Sequence, residues 1–320
     1  MPATSSHKVV YAALAGNFLI AIAKFTAAAF SGSSAMLSEG VHSLVDTTNE
    51  LLLLYGLHRA SKPPDRTHPF GHGRELYFWS FIVALLVLAM GAGVSFYEGI
   101  AHIRHPTMVE HPLINYLVLA VSFLFEGISW SLALREFRAR KGRLGYFEAF
   151  RLSKDPTTFT VLLEDSAALL GLLVAALALA GAQLFQLPAL DGIGSLGIGC
   201  ILTVSAMLLA RETKGLLIGE TAHPIVSDSI LAVAAGDEGV RSANGVLTVQ
   251  MGPNQVVAAL SAEFEDRLTT PEIEACISRI EKQAKAAHPE ITSLFIKPQT
   301  AETWRDQRRV IEKNSEELRP

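Results

Sequence analysis

The sequence predicts an α-helical membrane protein, with six transmembrane helices followed by a small cytosolic α+β domain. Three observations carry that reading. Charged residues make up only 18% of the 320-residue chain, against about a quarter in an ordinary soluble protein. The long apolar runs crowd before residue 219, and the remainder reads as a soluble sequence. Six of those runs reach or approach the roughly 20 apolar residues that a spanning helix needs.

The runs are Val9–Phe30, Ala35–Gly56, Tyr77–His102, Pro112–Leu134, Thr157–Ala180 and Ile193–Ala210. The first follows no clear small-residue cleavage site, so it reads as a span and not as a removed signal peptide. Only SGSS separates it from the second, which makes the two a tight hairpin. Basic residues set the orientation. His58, Arg59, Lys62, Arg66 and Arg74 lie between the second and third spans. Arg135, Arg138, Arg140, Lys141, Arg143, Arg151 and Lys154 lie between the fourth and fifth. Both loops share a side with the two termini, which are therefore expected in the cytoplasm.

From about Ala222 the pattern changes. A helix is expected near Pro224–Ala235, then strands at Val246–Met251 and Gln255–Glu265 joined by Gly252, Pro253 and Asn254. The second strand alternates, with Val256, Ala258, Leu260, Ala262 and Phe264 on one face. Thr270 caps a helix with Pro271 at its first position, and Ile273, Ile277, Ile280 and Ala284 form its apolar stripe. A strand at Ile291–Ile296 closes an αββαβ unit, a small sheet with two helices on one face. The expected division is 1–218 for the membrane domain, 219–299 for the cytosolic domain and 300–320 for a charged tail, solvated helix or disordered.

Several functions are excluded or disfavoured. A net charge of -4 does not suit a nucleic-acid binder. Cys200 and Cys276 show no CxxC spacing, which argues against a disulfide framework or thiolate zinc site. No GxxxxGK[ST] and no HExxH occurs, so neither a P-loop ATPase nor a zincin protease is indicated, and no enzyme is expected.

The chemistry lies in charges placed where a membrane disfavours them. An ionisable side chain at mid-membrane costs on the order of 2.5–3.5 kcal/mol. The second span nevertheless carries Glu39, His42, Asp46, Asn49 and Glu50, which fall within about 100° of one another on a helix. His42 and Asp46, one turn apart, can bring an imidazole and a carboxylate to one point, as a borderline-soft divalent cation requires. The fifth span adds Glu164 and Asp165. Adjacent residues point about 100° apart, so both are not expected to face one centre equally. Asp165 is the first choice as ligand, and Glu164 is a second ligand or a proton carrier. A lone HxxxD can equally be a structural hydrogen-bonding pair; two spans with charge at mid-depth favour an ion site. In the loop PPDRTHPFGHGRE, Asp65, His68 and His72 offer three further metal donors, with Gly71 and Gly73 permitting sharp turns. Lys24 reads as snorkelling near the outer end of the first span. Glu126, mid-helix in FLFEGISW, either pairs with another helix or carries protons. His102, His105 and His111 read as solvated outer-loop residues.

In combination these features resemble the cation diffusion facilitators, metal-cation/proton antiporters. The resemblance covers almost the whole chain: six spans, the short first turn, SEGVHSLVD, the DxxHxxxH loop followed by Gly-Arg, and the C-terminal unit. It implies a ferredoxin-like cytosolic fold, a homodimer, and a transport site built from the second and fifth spans. The run LLEDSAALLG resembles a subgroup that includes mitochondrial-type members. Two departures stand out. The family places a His or Asp four residues before Asp165, where this chain has Val161; Glu164, Glu39 or water would have to complete the site. A His-x-Asp metal motif near the last strand is replaced by FIKPQ, with Lys297 and Gln299, so no metal is expected there.

The resulting expectation is a secondary transporter exporting Zn²⁺, or Mn²⁺, Co²⁺ or Fe²⁺, in exchange for protons. It has no resident cofactor and no nucleic-acid partner, and it sits among membrane lipid, by default in a bacterial inner membrane. The alternative is a transport-deficient membrane metal sensor or scaffold acting through the cytosolic domain, which the residue at Val161 keeps open.

Overall fold

A computed structural model describes residues 3–142 and 144–317, with side chains described for 14–139, 141–142, 144–146, 148–157 and 159–310. Arg143 of the second basic loop, the side chain of Arg140 and the last three residues of the charged tail lie outside the described residues. The chain divides into two compact units. One holds the residues up to Arg59 together with Glu75–Lys214; the other holds Ala60–Arg74 and the residues from Gly215 onward.

The first unit is helical. Helix α1 (Ala3–Ser31) turns into α2 (Ser34–Ala60), and α3 (Arg74–Leu86) runs through a π-helical turn at Val87–Ala92 into α4 (Gly93–Arg104). Then come α5 (Pro112–Lys141), a short α6 (Tyr146–Leu152), α7 (Pro156–Leu184) and α8 (Ala189–Ile218). All six predicted spans are present, the third as the continuous run from α3 to α4. Pro112 and Pro156 open α5 and α7, where a missing N–H costs nothing. Among the described residues five helices are long and apolar enough to cross a membrane. The sixth, α2, has the length, with 27 residues, or about 40 Å at 1.5 Å per residue. Its polar stripe makes it less apolar, and Ser38, Glu39, His42 and Asn49 are all fully buried. The bundle interior is made of small and branched side chains, among them Ala27, Ala35, Val45, Ala167, Ala175, Ile198 and Ala206. Where α4 meets α8, a Cβ on Gly99 would lie 2.8 Å from the Gly192 carbonyl oxygen, so two glycines set the closeness of these backbones.

The α1–α2 turn is fixed from a distance. Gly32 takes a positive φ of 68°, and the Ser33 hydroxyl accepts the Met36 N–H at 3.1 Å, capping α2. Asp191 at the start of α8 is fully buried. Its carboxylate accepts from Ser33 Oγ (2.7 Å), Ser34 N (2.5 Å), Ser34 Oγ (3.0 Å) and Ala35 N (3.3 Å). A carboxylate at a helix N-terminus meets unpaired N–H groups and the positive end of the dipole. Asp191→Ala should therefore lower stability by about 2 kcal/mol or more, read as a lower unfolding temperature in detergent. An unchanged temperature would show that the network is incidental.

The second unit contains α9 (Pro224–Ala235), β1 (Val240–Gly252), β2 (Gln255–Phe264), α10 (Thr270–Ala287), β3 (Ile291–Pro298) and α11 (Ala301–Glu317). The sheet order is β1-β2-β3, with β1 antiparallel and β3 parallel to β2. The expected face of β2 is buried, against Val226, Ile230 and Ala234 of α9 and Cys276, Ile280 and Ala284 of α10. Two details differ from expectation, and a third decides between the two alternatives for the tail. Strand β1 starts at Val240, because Arg241, Ser242 and Asn244 hide its apolar alternation while bulges carry the pairing through. The cap of α10 is Thr269, one residue earlier than expected, and its N–H donates to the Glu272 carboxylate at 2.7 Å. These bonds from Thr269 hold the Glu272 carboxyl below the ordinary range. Finally, the charged tail is helical as far as it is described, and Trp304 lies against Gly245, where a Cβ would meet the indole at 2.6 Å.

Candidate metal centre

Helix α2 presents its polar stripe to α1, α5 and α7. Asp46 lines a small, partly open cavity of about 20 Å³ together with Glu164 and Asp165 of α7, which is room for roughly one water or ion. The Asp46 Oδ1 atom is buried and makes no hydrogen bond among the described residues. Glu164 and Asp165 both reach the cavity because they straddle it. Glu164 Oε1 accepts from Asn49 Nδ2 of α2 at 2.7 Å, and Asp165 Oδ2 accepts from Ser129 Oγ of α5 at 2.8 Å. The expected conflict between adjacent acids does not arise, since the site lies between two neighbouring helices and not against one. Val161 also lines the cavity, so the position that lacks a donor does face the site.

His42 is placed differently from Asp46. It is fully buried but does not wall the cavity; its Nδ1 lies 3.3 Å from Asp46 Oδ1. Neither ring nitrogen makes a hydrogen bond in good geometry. Both ring nitrogens therefore keep their capacity to donate, accept or ligate beside the Asp46 carboxylate.

Lys24 corrects the reading from sequence. It does not snorkel but is fully buried, donating to Glu39 Oε2 at 3.0 Å and Ser43 Oγ at 2.7 Å. One oxygen of Glu39 is thereby taken up by an ammonium, while Oε1 is buried and makes no hydrogen bond among the described residues. A lysine in an apolar run opposite an acid on the hairpin partner was the signal available. His102 is likewise buried, not solvated, with Nε2 3.9 Å from Asp191 Oδ2. His105 and His111 are exposed, as expected. Reading the sequence alone also missed Asn17, whose Nδ2 donates to Glu50 at 2.6 Å, and Ser129.

In the second unit, Asp65, His68 and His72 converge. Among the described residues they form the one group of three His, Cys, Asp or Glu side chains whose ligand atoms all lie within 4.8 Å. Asp65 stands 3.4 Å from His68 Nδ1 and 3.5 Å from His72 Nε2. Its carboxylate accepts from the Thr67 hydroxyl, the Thr67 N–H and the His68 N–H at 2.7, 2.8 and 2.7 Å. These bonds, the Thr67 hydroxyl foremost, hold the Asp65 carboxyl well below the usual range, so it stays ionised at any physiological pH. Gly71 turns the loop at φ 87°. Two nitrogens and one oxygen make a donor set suited to Zn²⁺. Lys297 is exposed on β3, and the Gln299 side chain bonds Ser261 and Gln307 at 3.2 and 2.9 Å.

Residues 10–218 match the family model for the cation efflux transmembrane domain. The chain belongs to the cation efflux family, the cation diffusion facilitators. Family members of known name include the mitochondrial proton-coupled zinc antiporter SLC30A9 of Xenopus laevis, 36% identical over 266 residues, which are 82% of this chain and 47% of that protein. Metal tolerance protein C4 of Arabidopsis thaliana is 29% identical over 82% of this chain and 58% of its own length. The cation-efflux pump FieF of Cronobacter sakazakii is 26% identical over 85% of each chain. This cation efflux protein thus spans about half the length of the zinc antiporters it matches. It is a multi-pass membrane protein of a transporter family.

Proposed function

We propose that this protein is a secondary transporter that moves a divalent transition-metal cation, zinc foremost, out of the compartment facing its basic loops in exchange for protons. The observation that carries the reading is the single-ion cavity walled by Asp46, Glu164 and Asp165 inside an apolar bundle. Carboxylates held at that depth are costly alone and are stabilised by a cation or by protonation. The two states exclude each other at one site, which is the physical basis of exchange. His42 joins as the nitrogen donor, where a proton and a metal ion compete for the same ring nitrogen. The relatives named as a proton-coupled zinc antiporter and as a cation-efflux pump support the same reading. Within it, residues to 218 form the transport domain, and 219–299, with Asp65, His68 and His72 as a second metal site, form a cytosolic domain of a homodimer.

The test is zinc uptake by proteoliposomes holding the purified full-length protein. A pH gradient of about one unit, proton-rich on the side opposite the metal, should raise the initial rate several-fold, and an ionophore that collapses it should remove the gain. Uptake indifferent to the gradient would contradict exchange. Zinc binding without any flux would favour the sensor or scaffold reading.

A further inference from the structure

We propose that Glu126 of α5 is a ligand of the transported cation, supplying the donor that Val161 does not, and that the resulting oxygen-rich site carries Mn²⁺ as well as Zn²⁺. This rests on the reading of the cavity as the transport site. Glu126 lines that cavity beside Val161. It stands in the middle of a helix whose neighbouring side chains, Phe123, Leu124, Phe125 and Ile128, are exposed on the bundle surface. The face of α5 that carries it is fixed on α7 by two bonds, Ser129 Oγ to Asp165 at 2.8 Å and Trp130 Nε1 to Ser166 Oγ at 3.0 Å.

The other acids near the cavity each have one oxygen held. Glu39, outside the cavity wall, gives one oxygen to Lys24, while Glu164 and Glu50 in the wall each accept from an asparagine, Asn49 and Asn17. Glu126, by contrast, makes no hydrogen bond or ion pair among the described residues. Two further acids of the cavity wall keep an oxygen that makes no hydrogen bond. Asp46 Oδ1 is buried without a hydrogen-bond partner. Glu164, 6% exposed and walling the cavity, has only its Oε1 hydrogen-bonded. Apart from Val161, the polar wall of the cavity is made by carboxylates, a hydroxyl and an amide, and the one imidazole stands behind Asp46. Carboxylate-rich sites suit Mn²⁺, whereas added nitrogen favours Zn²⁺.

The experiment measures Zn²⁺ and Mn²⁺ uptake separately in proteoliposomes of full-length protein. Variants are Glu126→Gln, Glu126→His, Glu126→Gln with Val161→Asp, and Asp46→Ala as the control for the site itself. The parent should carry both ions. Glu126→Gln should raise the KM for each by about tenfold or more, and adding Val161→Asp should recover most of that loss. Glu126→His should shift the Zn²⁺ to Mn²⁺ rate ratio towards zinc by about tenfold. A merely structural Glu126 would move neither the ratio nor the rescue. If Asp46→Ala abolishes flux while Glu126→Gln and Glu126→His leave KM and ratio as in the parent, the inference fails and the transport reading stands. If Glu126→Gln does not fold, an unchanged ratio in Glu126→His overturns it. Full flux in Asp46→Ala would overturn the transport reading and this inference with it.

Discussion

Asp46→Ala should abolish cation flux, lowering the initial uptake rate by about 100-fold or more, while the protein folds as well as its parent. Even substitutions one shell outside a metal typically cost 10–100-fold in affinity or activity, and Asp46 stands in the cavity wall. Its Oδ1 atom makes no hydrogen bond, so alanine removes little that holds the bundle together. It also relieves the cost of a buried acid, on the order of 2.5–3.5 kcal/mol. The combination of lost flux and an unchanged or higher unfolding temperature separates a ligand from a packing residue. Parent-like uptake, or a large drop in stability, would contradict the role assigned to Asp46.

Lys24→Met should do the opposite and act first on stability. Lys24 and Glu39 are both fully buried and 3.0 Å apart. Breaking a buried pair from one side leaves an uncompensated charge and typically costs 3–5 kcal/mol. Removing both partners should cost far less, because the desolvation penalty goes with them. Thermal unfolding in detergent should show a large loss for Lys24→Met and substantial recovery in Lys24→Met with Glu39→Gln. If the double variant is no better than the single, the pair is not what holds α1 to α2.

Much of this architecture was legible in the sequence, and what was missed shares one cause. Apolar length found six spans, and alternation found the buried face of β2. Periodicity gives a side chain's angle about its own helix axis, but not the helix that will stand opposite. Hence the stripe on α2 was readable, while the partners of Asp191 and the helix that Glu126 faces were not. The same gap explains Glu164 and Asp165. Their angular separation was correct, but a site between α2 and α5 accepts both. In the second unit, polar residues in β1 concealed the start of the strand, and the packing of Trp304 on Gly245 depends on a neighbouring surface that the tail sequence does not specify.

The most direct test of the central claim is where the metal sits. Anomalous diffraction from zinc-soaked crystals of the full-length protein should give a peak in the cavity between α2, α5 and α7, within about 2.0–2.2 Å of carboxylate oxygens of Asp46 and Asp165. A second peak is expected at Asp65, His68 and His72. A peak at the loop cluster alone, with the cavity residues well ordered at saturating zinc, would contradict the account.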